Sequence, residues 1–353
     1  MFLRGLGTSH PPRRYTKLDC WRAFRASDWY RKLDARSRAI VGTVLRGDNG
    51  IVARRLALES LEEVFRIEPD TLHARFVAHA PKLASEAAER ALAAAEVAAP
   101  HIDAVVVSTC TGYLCPGLSG YVAERLRLRP DVAAFDLVGQ GCGAALPNWQ
   151  LAEALIAADR SGCVLSVCVE VSSAAMYLDD DPGVLVSACL FGDGAGAAVL
   201  AAAPDPARRR IEWRGARSRL NAAEREALRF EQRHGMLRNV LTRPVPRLAA
   251  EHAAEVLDDL LAAQGLRRSQ IAAWIWHAGG RDVLAALKAR LGLGDEQLRY
   301  SAGVLAEYGN LSSAFVYFVL AAALADGAPA GWWWMSSFGA GFSCHGALLE
   351  VGE

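Results

Sequence analysis

Two stretches of this chain read as the same passage written twice. In the first, an uncharged run, AVVVS at 104–108 within HIDAVVVSTCTG, gives way to a helix. GQGCGAALPNWQLAEAL then turns through glycines into a second helix. In the second, IAAWIWHAGG at 271–280 gives way to a helix, and EYGNLSSAFVYFVLAAAL turns into an apolar one. Each passage closes on a strand, a glycine turn and another strand. Ile102 precedes Cys142 by 40 residues, and Ile271 precedes Leu311 by the same 40. Uncharged β-branched runs alternating with helical patterns belong to buried, largely parallel strands, so the expected class is α/β. A period of roughly a hundred residues is a duplicated domain and not a solenoid. The chain is therefore expected to form two similar halves, 1–203 and 204–353, packed about a pseudo-two-fold axis. Corresponding loops of the halves would meet at one centre.

Sites in α/β folds form in loops at strand ends, so that centre is where chemistry is expected. Cys142 opens the second helix of the first half, among Gly139, Gly141 and Gly143, which let the chain bend sharply. A thiol at a helix start faces unpaired N–H groups and the positive end of the dipole, and both favour the thiolate. His277 ends the strand that matches the one ending at Ser108. Asn310 precedes the helix that matches the Cys142 helix. Each has a plainer reading alone: a core cysteine, a satisfied core histidine, an N-cap asparagine. The repeat carries all three to one pocket and favours the joint reading. A thiolate takes an acyl group from a thioester. His Nε2–H and the Asn amide donate to a carbonyl oxygen that becomes an enolate. The Cys142 N–H and the Ser337–Gly341 loop could hold the other oxyanion. The set points to acyl transfer followed by decarboxylative carbon–carbon bond formation.

Composition excludes other classes. The 353 residues are 52% hydrophobic, enough for a large core, and 39 basic groups balance 39 acidic ones. Nothing draws the chain to nucleic acid or an anionic membrane surface, and no uninterrupted apolar run reaches membrane-spanning length. The stretch MFLRGLGTSHPPRRY has no apolar signal-peptide core. Eight cysteines include no CxxC pair, and Cys110/Cys115 and Cys163/Cys168 have the wrong spacing for zinc. A reduced, cytoplasmic compartment and no metal are expected. Residues 1–60 read as helices and loops, and 203–245 as an excursion rich in Arg, Pro and Glu.

GQGCGAA, WHAGGRDVL, EYGNLSSA and SSFGAGF, together with STCTGYLCPG and ACLFGDGAG, resemble in order and spacing the motifs of type III polyketide synthases. These are the chalcone-synthase-like enzymes of the thiolase superfamily. The resemblance implies a homodimer of five-layer αβαβα subunits without metal or redox cofactor, using acyl-CoA and malonyl-CoA. It implies that Cys142 carries the starter and growing chain as an ion pair with His277. His277 and Asn310 would bind the malonyl thioester and stabilise its enolate. Phe191 falls on a gatekeeper phenylalanine, and Gly279, Gly280, Gly339 and Gly341 fall in substrate-contacting motifs. Ser312 falls on the cavity wall, and Cys115 where a side chain reaches toward the neighbouring subunit. Two departures bear on substrate. Asn239 stands near the second gatekeeper phenylalanine, and Ala175 stands where plant enzymes carry a cavity-facing threonine. Cys110 takes another threonine position and reads as a lining thiol rather than an auxiliary nucleophile. Arg36, Arg38, Arg46, Arg54 and Arg55 are candidates for the CoA phosphates. Two alternatives remain at this point. One is a ketoacyl synthase III-like enzyme that condenses once onto an acyl carrier protein. The other is a non-catalytic scaffold of the same fold.

Overall fold

The computed structural model describes residues 1–353. Nine strands make one mixed sheet: β1 (Phe2–Ser9), β2 (Ala104–Ser108), β3 (Ala133–Leu137), β4 (Cys163–Val171), β5 (Asp193–Ala201), β6 (Ile211–Leu220), β7 (Ile271–Trp276), β8 (Gly331–Gly339) and β9 (Ser343–Val351). Their order is β7-β8-β9-β6-β1-β5-β4-β2-β3. In the first half β2 runs parallel to β3 and β4, and β5 is antiparallel to β4 and β1. In the second half β7 is parallel to β8, and β9 is antiparallel to β8 and β6. The run β7-β8-β9-β6 thus repeats β2-β4-β5-β1. The two half-sheets join at one register pair, Phe2 of β1 opposite Glu212 of β6.

The principal helices are α1 (Lys17–Ala26), α2 (Ala35–Arg46), α3 (Pro69–Ala95), α4 (Ala145–Ala157), α5 (Pro182–Leu190), α6 (Val245–Gln264), α7 (Arg281–Leu291) and α8 (Phe315–Ala325). α3 covers one face of the first half-sheet. α4 and α8 lie between the half-sheets, each touching strands of both, and α6 covers the far face of the second. That is five layers, α-β-α-β-α. The two central helices are tied together: Trp149 Nε1 of α4 donates to Tyr317 OH of α8 at 3.1 Å, and that hydroxyl lies 2.8 Å from Ser166 Oγ of β4. Trp149, Trp276, Trp333, Trp334 and Tyr317 are fully buried, and such rings dominate core energetics.

Two parts of the sequence reading need correction. The first nine residues were expected as loop or helix, yet β1 sits in the middle of the sheet. Its inward alternation is hidden because Gly5 and Gly7 occupy positions where a Cβ would strike the backbone of α3 at Ala91 and Ala87. Residues 203–245 were expected as an excursion. They contain β6, which joins the half-sheets, and a hairpin of Leu228–Arg233 with Met236–Leu241. β6 is buried at Ile211 and Trp213 but runs out exposed among arginines, so it lacks the apolar signature of its neighbours. The second half also has no counterpart of β3; a helix, Asp295–Tyr308, stands in that place in chain order. No helix is long and apolar enough to cross a membrane.

Candidate active site

Cys142 lies in a single 3-10 turn, Gly141–Gly143, that runs through Ala144 into α4. Gly141 has φ 54°, and a Cβ there would come within 2.9 Å of Ala340 N. Only glycine meets both demands. The turn therefore rests on the β8–β9 turn, and Ser337 Oγ donates to Gly143 O at 3.0 Å. Gly339 and Gly341 belong to this support behind Cys142.

The matching turn of the second half is Ser312–Ala314, leading into α8. Asn310 precedes it and is held through its backbone: its N–H donates to Leu190 O at 2.9 Å, and its carbonyl accepts from Gly192 N–H at 3.0 Å. Phe191 and Asn310 are thereby paired. The Asn310 amide oxygen accepts from Ser312 N–H at 2.8 Å and lies 3.2 Å from His277 Nε2, while Nδ2 donates to Gly279 O at 3.0 Å. The Ser312 N–H fixes the amide orientation, because only oxygen can accept there. His277 then carries its proton on Nε2, and Nδ1 has no partner.

An outer cavity of about 460 Å³ is lined by Cys142, His277, Asn310, Gly279, Gly280 and Phe191. A smaller inner cavity, about 40 Å³, is lined by Cys110, Ala175 and Ser312, and shares Phe191 and Asn239 with the outer one. The structure thus brings together the three candidate catalytic residues and six of the candidate lining residues. Cys115 stands apart, exposed in the loop after β2.

Burial works against an ion pair at this site. Burial pushes the Cys142 thiol up to about 12, with the hydrogen bond from Ser312 Oγ at 3.1 Å opposing it. Burial also lowers His277 to about 4. Desolvation outweighs the turn's N–H groups. No hydrogen bond joins Cys142 to His277, and burial favours the neutral form of each.

Sequence reasoning missed Glu170. This fully buried carboxylate of β4 accepts from Cys110 N–H at 3.1 Å, Thr111 Oγ1 at 2.9 Å, Ser312 Oγ at 3.3 Å and Ser313 Oγ. A single acid in the otherwise uncharged strand CVLSVCVEV was the available signal. The arginines also change. Arg54 is buried, its Nη1 donating to Ala188 O at 2.8 Å and Phe191 O at 3.0 Å, and Arg55 pairs with Glu307 at 2.7 Å. Arg38 and Arg46 lie over Tyr30 and Trp21. None of these, nor Arg36, lines the outer cavity. Arg243 and Arg281 do.

Residues 50–227 match the family model for FAE1/type III polyketide synthase-like proteins, and residues 225–351 match that for the chalcone and stilbene synthase C-terminal domain. The chain belongs to the type III polyketide synthase family. Among its relatives, the alpha-pyrone synthesis polyketide synthase-like Pks18 of Mycobacterium tuberculosis is 29% identical, over 99% of this chain and 91% of that protein. A 3,5-dihydroxyphenylacetyl-CoA synthase of Amycolatopsis balhimycina is 32% identical over 69% of this chain and 66% of its own. The crystal structure of PKS-I from the brown alga Ectocarpus siliculosus superposes with a TM-score of 0.90 at 25% identity, covering 99% of this chain and 97% of that one. The 1,3,6,8-tetrahydroxynaphthalene synthase of Streptomyces coelicolor shares the fold, with a TM-score of 0.88 at 21% identity. This type III polyketide synthase is a decarboxylating, condensing acyltransferase of the thiolase fold. The ketoacyl synthase III-like and scaffold alternatives are not favoured.

Proposed function

We propose that Cys142 carries the acyl group and that His277 and Asn310 act on the malonyl thioester, with CoA thioesters as the only co-substrates. The observation that carries this reading is the shared outer cavity, where the buried thiol, the imidazole and the amide face one space. In loading, Sγ of Cys142 attacks the starter carbonyl. The S–H proton is lost as the C–S bond forms, and the departing CoA sulfur gains one. In extension, the malonyl carboxylate leaves as CO2 and its electron pair passes to the thioester oxygen. His277 is kept neutral by burial down to about pH 4, and its one Nε2–H, which faces Asn310 Oδ1 at 3.2 Å before substrate binds, would be shared with or turned to the oxyanion. Asn310 Nδ2 has a second hydrogen beside the one given to Gly279 O. Both donors strengthen as the oxyanion forms, which is how such groups accelerate a reaction. The enolate carbon then attacks the Cys142 thioester. The C–S bond breaks, and the chain, two carbons longer, leaves on CoA to be reloaded.

CoA would enter along the outer cavity, with Arg243 and Arg281 at its walls for the phosphates. A homodimer would form about the loops after β2 and β3, where Tyr113 (71%) and Val138 (66%) are exposed apolar side chains near exposed Cys115.

The test is mass spectrometry of intact protein and products after incubation with acyl-CoA and malonyl-CoA. Wild type is expected to show acyl-Cys142 and products of more than one extension, and Cys142→Ala neither. Undiminished product from Cys142→Ala overturns the assignment.

A further inference from the structure

The outer and inner cavities have two residues in common, Phe191 and Asn239. A chain that extends from Cys142 toward the inner cavity passes between them. One is a ring at the C-terminal end of α5. The other is an amide, out of keeping with the side chains around it.

Asn239 belongs to the hairpin of Leu228–Arg233 with Met236–Leu241, a two-stranded sheet of its own. Side chains alternate along a strand, and Leu228, Phe230, Asn239 and Leu241 are the ones that line the cavities. Asn239 stands opposite Phe230 in the register. The inward face is thus three apolar side chains and one carboxamide. Its neighbour Arg238 points the other way, to Asp179 Oδ2 at 2.9 Å, Asp181 Oδ2 at 3.0 Å and Glu231 Oε1 at 3.2 Å. A cation among three carboxylates fixes which face of the strand is outward, and so holds Asn239 inward.

The Asn239 side chain is buried. Its Oδ1 accepts from Ser187 Oγ of α5 at 3.2 Å, and its Nδ2 has no hydrogen-bond partner. With the oxygen occupied by a hydroxyl, both N–H bonds stay free. An amide buried with an empty donor carries a cost that an apolar side chain of the same size would not. An acceptor on the substrate would remove it. A saturated starter has no acceptor beyond its thioester carbonyl. After one extension the chain carries a keto oxygen two carbons further along.

We propose that Asn239 Nδ2 binds the β-keto oxygen of the growing chain, making this a recognition site for β-ketoacyl groups. The reading rests on Cys142 as the acyl carrier. The site tells an extended chain from a fresh starter, and it favours later extensions over the first. Phe191 gives both the same apolar contact. Ser187 is a positioning residue, because its hydroxyl sets which end of the amide faces the chain.

The experiment compares CoA thioesters of equal length, butanoyl with 3-oxobutanoyl and hexanoyl with 3-oxohexanoyl. It measures kcat/KM for extension of each, with acyl-Cys142 formation followed by mass spectrometry. The ratio of the 3-oxo to the saturated member is taken within one protein, so a general loss of folded enzyme cancels. The intrinsic reactivity of the two thioesters is the same in every variant. Asn239→Leu should lower the ratio roughly tenfold, as loss of one buried hydrogen bond does. Asn239→Ser keeps a donor and should lower it less. Ser187→Ala, which frees the amide to rotate, should also fall between wild type and Asn239→Leu. A ratio unchanged in Asn239→Leu overturns the proposal, as does an equal fall in Asn239→Ser and Asn239→Leu. Failure of every thioester to acylate Cys142 in wild type would instead defeat the carrier assignment.

Discussion

The two halves enter their central helices through the same kind of turn, built from different residues. In the first, the residue with positive φ is Gly141 at 54°; in the second it is Ser312 at 51°. Glycine adopts that conformation freely. Serine does so at a cost of about 1 kcal/mol. Strain of this kind persists where the side chain is needed, and Ser312 Oγ reaches both Cys142 Sγ and Glu170. The comparison shows a duplicated frame whose copies have divided the labour. The first half presents the proposed nucleophile on an unstrained glycine turn. The second holds the proposed donors and tolerates a strained turn that brings a hydroxyl to the other half's sulfur.

Separating the two tasks by mutation is the largest test. Cys142→Ala is expected to lose loading entirely yet still release CO2 from malonyl-CoA, measured with carboxyl-labelled substrate. His277→Ala should do the converse, slowing CO2 release by about two orders of magnitude while acyl-Cys142 still forms. If either variant lost both activities to the same degree, the division would fail.

The halves should also answer acid differently. In the second half, burial lowers both His277 and His345 to about 4. Between pH 6.5 and 4 the unfolded chain binds protons that these folded residues refuse, so stability falls across that window. It is fully present above 6.5, and each site contributes up to about 3 kcal/mol. In the first half, burial raises Glu170 and Asp193, so protonating them as pH falls relieves an existing penalty. Urea unfolding at several pH values should show a shallower acid loss for His345→Gln than for wild type. An unchanged slope would remove His345 from the account.

Smaller effects probe the turns themselves. Gly141→Ala must take a left-handed conformation and push a methyl toward Ala340 N, and should destabilise by about 2 kcal/mol. Ser312→Gly should stabilise by up to about 1 kcal/mol. It should also slow iodoacetamide alkylation of Cys142 at pH 8 by roughly fivefold, since the sulfur loses its donor. Ser312→Ala should slow alkylation equally without the gain in stability. Equal stability of the two serine variants would mean that the turn is not strained.

The comparison also explains what could be read in advance. The strands AVVVS and IAAWIW are buried on both faces and advertise themselves. The repeat then placed Cys142, His277 and Asn310 on one cavity wall by arithmetic along the chain. β1 escaped because its inward face is glycine, and β6 because it leaves the core halfway along. Glu170 and Arg54 escaped because their partners are hydroxyls, thiols and backbone carbonyls from distant segments. No local spacing announces such a partner. The Cys142 protonation state escaped for a related reason: the helix start is visible in sequence, but the depth of its burial is not.

The glycine-faced strand at the head of the chain has a consequence for biogenesis. Phe2–Ser9 leaves the ribosome well before its partners at Asp193–Ala201 and Glu212. Until then its peptide groups must wait unpaired or find the wrong neighbour, a hazard of long-range pairing. The two half-sheets become one only when this early-emerging strand is sewn in between them.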